Sequence, residues 1–157
     1  MPHPSDSARS TSAAESRFRV QDPNSLARDI LVIALDEQSA ALGGMLAAQS
    51  WRCAEFVNFH VHGGPQDRGD WAEALERHSF DLIVMVGTAG GDLRNAEIVG
   101  GMGIARGVKV SSVLLSPQDT PAPVISESLL DLRPWSRTLA LIGSADYLPG
   151  VLHALGA

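Results

Sequence analysis

The stretch Asp81–Asp92, DLIVMVGTAGGD, constrains this chain more than any other. Leu82–Val86 is a continuous apolar run with no polar alternation, the mark of a strand buried on both faces. It passes directly into Gly87-Thr88-Ala89-Gly90-Gly91-Asp92. A buried strand that ends in glycines is the usual entry to a ligand loop of an open α/β sheet, where ligands sit beyond the carboxyl ends of the strands. Glycine permits positive φ and close approach of a ligand to the main chain. A plain strand-to-helix turn would need no more than two of these glycines, so both readings stand at this point.

The rest of the chain repeats the pattern. Ile30–Leu35 is a second wholly apolar run. It is followed by Asp36-Glu37-Gln38-Ser39, in which Asp36 or Ser39 can cap a helix over Ala40–Ser50 with Leu42, Met45 and Leu46 as its stripe. Gly43-Gly44 inside that helix implies either close packing or a later helix start. Trp51–Val61 reads as a strand, Asp67–Ser79 as a helix capped by Asp70, and Leu93–Arg106 as a glycine-interrupted helix closed by Gly107. Val108–Leu115 is a strand and Ser116–Pro123 a proline-set loop. Val124–Leu132 has no clear period, Thr138–Ile142 is a strand, and Tyr147–Leu155 a closing helix. Apolar strands alternating with helices specify a single Rossmann-like domain, a three-layer α/β/α sandwich around a five-stranded, mostly parallel sheet.

At 157 residues one domain is expected. Residues 1–28, rich in Ser, Ala, Pro and Arg, read as a flexible leader, and 29–157 as the folded domain. A net charge of −6 leaves no basic footprint for nucleic acid. No apolar run approaches the ~20 residues of a membrane span. The single cysteine, Cys53, forbids an intrachain disulfide, reads as a buried thiol inside the second strand, and fits a reducing, cytoplasmic setting.

In such a sheet the strand exits gather at one edge. That edge collects Asp36, Glu37, His60, His62, the loop Gly87–Asp92, Ser116, Ser144 and Asp146. Hydroxyls and free main-chain N–H groups suit a phosphate, and carboxylates suit a magnesium ion carried with it. His60 and His62 share one face of a strand, but no third metal ligand is fixed by spacing, and two surface histidines account for them. No P-loop, nucleophile elbow or HExxH is present. Gly100-Gly101-Met102-Gly103 lies in mid-helix and fails the context of a dinucleotide fingerprint.

In order and spacing, residues 29–157 resemble the MogA/MoaB-type molybdopterin-binding domain. Asp36 stands in its first acidic loop, and Gly64-Pro65-Gln66-Asp67 at the acidic entry to its second helix. Asp81–Gly90 matches its third strand and glycine loop. Asp92-Leu93-Arg94-Asn95-Ala96-Glu97 stands at its next conserved segment, Ser116–Pro123 at its proline loop, and Leu141–Ala145 at its last strand exit. The glycine loop reads VGTAGG in place of GGTG, and the prolines of the final exit are missing. The resemblance implies a mixed five-stranded sheet, a homotrimer, and a role in molybdenum cofactor maturation or delivery by binding rather than catalysis. It implies a pterin, or another phosphate-bearing small molecule, held by Gly87, Thr88, Ala89, Gly90, Gly91 and Asp92. Asp36 and Asp67 would contact pterin or magnesium, and Ser116 and Ser144 would complete the set. The alternative is a non-enzymatic interaction subunit with a degenerate receiver-like, flavodoxin-like fold that docks on a larger protein. A working receiver is excluded, because Val86-Gly87 stands where it needs a phosphorylatable aspartate and no lysine follows the fifth strand. Another nucleotide- or phosphate-binding protein remains a third reading.

Overall fold

The computed structural model describes residues 26–59 and 69–157, the side chains of Gly69 and Asp70 excepted. The expected sites at His60, His62 and Asp67, and all of the leader before residue 26, lie outside the described residues.

Five strands form one sheet: β1 (Ile30–Ala34), β2 (Ala54–Asn58), β3 (Leu82–Thr88), β4 (Lys109–Leu115) and β5 (Thr138–Ile142). Their order is β2-β1-β3-β4-β5. All four pairings are parallel, including β4 with β5. The mixed sheet implied by the molybdopterin-domain resemblance is therefore not what this chain forms. The observed order is the flavodoxin-like one, in which the connections reverse direction between β1 and β3.

The helices are α1 (Glu37–Ala47), α2 (Gly69–Arg77), α3 (Ala96–Ala105), α4 (Ala122–Leu132) and α5 (Leu148–Leu155). Alternate residues along β1 and β3 serve opposite faces. Leu31, Ile33, Ile83 and Met85 pack with Trp71, Leu75, Val99 and Leu132 from α2, α3 and α4. Ile30, Val32, Leu82, Val84 and Val86 pack with Leu46, Leu148 and Leu152 from α1 and α5. Two covered faces explain why β1 and β3 are apolar at every position and buried throughout. The edge strands β2 and β5 are only partly buried.

Several sequence expectations shift. β2 is shorter than Trp51–Val61, and Cys53 precedes it, half-buried rather than enclosed. The ambiguous segment after the proline loop is helical and takes in Ala122 and Pro123, since proline is tolerated in a first helical turn. Met45, expected on the apolar stripe of α1, is 63% exposed, while Leu46 is buried. Arg28, placed in the leader by composition, donates its main-chain N–H to the Gly156 carbonyl at 3.1 Å.

The glycines of the two helices differ in purpose. A methyl group at Gly103 of α3 would fall 2.5 Å from Val110 Cγ2, and one at Gly100 would collide with Trp135. These glycines let α3 lie close on β4 and on the turn that precedes β5. In α1 the helix begins at Glu37, so Gly43-Gly44 does not mark a late start. A methyl group at Gly44 would meet nothing within 4 Å. Gly44→Ala should therefore stabilise the chain by about 0.5–1 kcal/mol in urea unfolding. Gly103→Ala should lower the unfolding midpoint. A destabilising Gly44→Ala would contradict this packing.

Candidate functional site

The site grows from register. Ala34 of β1 stands beside Val86 of β3, and the same offset sets Asp36 level with Thr88. Asp36 is extended (φ −130°, ψ 170°) and caps α1. Its Oδ1 accepts the Ser39 N–H at 2.7 Å, while Ser39 Oγ accepts the Asp36 N–H at 3.2 Å, closing a capping box. Its Oδ2 accepts the Thr88 N–H at 2.6 Å, and the Thr88 hydroxyl donates to Oδ1 at 3.4 Å. One carboxylate thus joins the end of β1, the start of α1 and the end of β3.

The glycine loop is closed by the same logic. The Ala89 N–H donates to the Leu115 carbonyl at 2.8 Å, tying the loop to the end of β4. The Gly90 N–H donates to Ser128 Oγ of α4 at 3.0 Å. The Gly91 N–H turns back to the Thr88 carbonyl at 2.9 Å. Gly87 lies within β3. The donors expected to cradle a phosphate, Thr88 through Gly91, are all engaged by acceptors of the protein itself. The glycines serve this closure. Gly90 takes φ +82°, and a methyl group at Gly91 would fall 2.5 Å from Asp36 Oδ2. A phosphate would have to displace an ionised acceptor from Thr88, and such charge-assisted bonds are the strong ones. In this arrangement Thr88 through Gly91 present no unengaged main-chain N–H to a phosphate.

Outside the loop lies a cleft of about 430 Å³ at the reversal point between β1 and β3. Asp36, Glu37, Gln38, Phe59, Asp92 and Asn95 line it. The structure brings Asp36, Gly91 and Asp92 together here, as expected. Ser116 and Ser144 do not line it. Ser116 is buried, its N–H on the Ile142 carbonyl. Ser144 Oγ caps a single 3-10 turn through the Asp146 N–H at 3.3 Å. Three of its lining residues are carboxylates, and one of these, Asp92, is paired with Arg94. Asp36 Oδ1 accepts two protein donors and Oδ2 one. Among the described residues no group of three His, Cys, Asp or Glu side chains is placed to hold a metal ion. Phe59, Gln38 and Asn95 were missed in the sequence; Phe59, next after β2, carried the one usable signal. Ser128 had none, because only the fold carries it across to Gly90.

Asp92 makes a bidentate pair with Arg94, at 2.9 and 2.8 Å. The Arg94 guanidinium and main-chain N–H draw the Asp92 carboxyl from 3.8 down to about 2. A depressed folded-state value contributes stability above the unfolded value that is lost as pH falls through the folded one. Both side chains are largely exposed, so solvent screening leaves this contribution within about 0–1 kcal/mol. Arg94→Ala should return the Asp92 titration, followed by carboxyl NMR, toward 3.8 with little change in stability. A value that stays near 2 would contradict the pairing.

No family model and no curated protein matches the chain. Among solved structures it is similar to one described as a flavone reductase, with 15% identity and a TM-score of 0.37. The match covers 81% of this chain and 60% of that one. Among the described residues no helix is long and apolar enough to cross a membrane.

Asp36→Asn keeps the shape but sets an amide N–H₂ against donors. It should cost about 1–3 kcal/mol in urea unfolding, the price of buried donors left unmatched. An unchanged midpoint would contradict the role given to Asp36.

Proposed function

We propose that this chain is a non-catalytic interaction module on a flavodoxin-like scaffold, docking on another protein or on further copies of itself. The observation that carries this reading is the outer face of α3. The helix sequence AEIVGGMGIA holds no charge after Glu97, yet Ile98 and Ile104 are 51% and 64% exposed. Between them Gly101 has open space where a side chain would stand. Helices apolar all round are normally buried, and this one is covered on its inner side only. The closed loop adds support, because its donors are spent on the fold rather than offered to a substrate. The end of β3 carries Val86, buried, in the place where a receiver holds its phosphorylated aspartate.

A photo-crosslinking residue at Ile98 should give one adduct of defined mass, with a second copy or a larger protein. Ile104→Glu should abolish it, and the same crosslinker at exposed Arg52 should not form it. Only uncrosslinked chain at Ile98, or equal adducts from Arg52, would overturn the reading.

A second reading retains molybdopterin, favoured by the cleft at the β1–β3 reversal. A pterin ring presents N–H donors along one edge, and Glu37, Gln38 and Asn95 offer acceptors in about 430 Å³. Its phosphate would lie outside the glycine loop. Calorimetric titration with molybdopterin tests it: saturable heat lost in Glu37→Gln supports the reading, and no heat sinks it.

A further inference from the structure

The opposite edge of the sheet carries a second cleft, of about 330 Å³, where β4 and β5 begin. Ile104 at the end of α3, Val108, Pro134 and Trp135 give it apolar walls, and Lys109 and Arg137 stand at it. Trp135 is half-buried: its Cβ–ring junction rests on Gly100, so α3 holds it in place. The walls are braced by hydrogen bonds to main-chain carbonyls. The Arg137 N–H donates to the Val110 carbonyl at 2.8 Å, and Ser136 Oγ donates to the Leu132 carbonyl at 2.7 Å.

The electrostatics are the reverse of those at the first cleft. The chain carries a net charge of −6, yet no carboxylate lines this cleft and two cations do. Among the described residues neither the Lys109 nor the Arg137 side chain has a hydrogen-bond or ion-pair partner. Arg106 nearby is spent on the Leu75 carbonyl at 2.7 Å. The last carbonyls of α3, at Gly103 and Ile104, accept the N–H groups of Val108 and Gly107, so these acceptors are already occupied. Unpaired cations and an aromatic side chain lining one cleft suit a ligand that is both flat and negative. The volume lies at the lower end of small-molecule sites, sufficient for one or two fused rings.

We infer that this cleft binds a small planar aromatic anion, an aryl carboxylate, sulfonate or phosphate, with its ring against Trp135 and its charge between Lys109 and Arg137. The site lies at the end of the sheet opposite the usual ligand edge; it shares Ile104 with the docking face proposed above, while Lys109, Trp135 and Arg137 lie outside α3.

Anilinonaphthalene sulfonate, a fluorescent aryl anion, is the probe, titrated into the full-length chain. Binding should saturate at one probe per chain and quench tryptophan emission, and Trp135→Phe should remove most of that quenching. Lys109→Glu with Arg137→Glu, both on the surface, should leave the circular dichroism unchanged and raise the apparent Kd at least about tenfold. The neutral N-phenylnaphthylamine should bind more weakly than the anion. Absence of saturable binding, or equal affinity in the charge-reversed chain, would overturn the inference. So would a neutral probe that binds as well as the anion, which would mark a merely apolar patch.

Discussion

The carboxylate of Asp36 is the interaction on which the working edge of this molecule depends. It is the second residue past the ladder between β1 and β3, and it accepts from three donors. One lies at the start of α1, where the first turn of any helix leaves N–H groups without partners. The other two belong to Thr88, where β3 leaves the sheet. A single ionised group thereby fixes the angle at which α1 departs and the height at which the glycine loop begins. The remaining loop donors find Leu115, Ser128 and Thr88, so the loop is held by β4, by α4 and by its own turn.

This closure decides between uses of a glycine-rich turn that look alike in sequence. A phosphate-binding turn leaves its N–H groups pointing outward, and the helix behind it adds a favourable field. In this chain the glycines serve compactness. Gly91 lets the turn fold down on Asp36, and Gly90 supplies the positive φ that makes the turn. The cleft beyond the turn is lined by carboxylates and amides. It would favour a donor-rich ligand. Two unpaired cations, Lys109 and Arg137, stand instead in the cleft at the far edge of the sheet, beside Trp135.

Much of the scaffold was legible because burial leaves a plain trace. β1 and β3 are apolar at every position since both of their faces are covered, and β5 appears with the bounds its sequence suggests. The edge strand β2 was read too long, because an edge needs fewer apolar residues and its polar ends give no clear stop. The helix α4 gave no clear period, and the prolines before it hid a start that a first turn tolerates. Strand direction was not legible: a fifth strand with the composition of Thr138–Ile142 fits a parallel or an antiparallel partner equally well. Asp36 was recognisable as a cap and as an acidic loop residue. Its bond to Thr88 was not, because that bond follows from the β1–β3 register, and the Gly90–Ser128 bond spans elements that meet only in the folded chain.

The central claim is that the glycine loop is closed from within. Amide hydrogen exchange at Thr88, Ala89, Gly90 and Gly91, resolved by NMR with and without inorganic phosphate, tests it most directly. The account predicts four protected amides whose shifts and exchange do not respond to phosphate. Fast exchange at these positions, or saturable shifts on adding phosphate, would show open donors and contradict it.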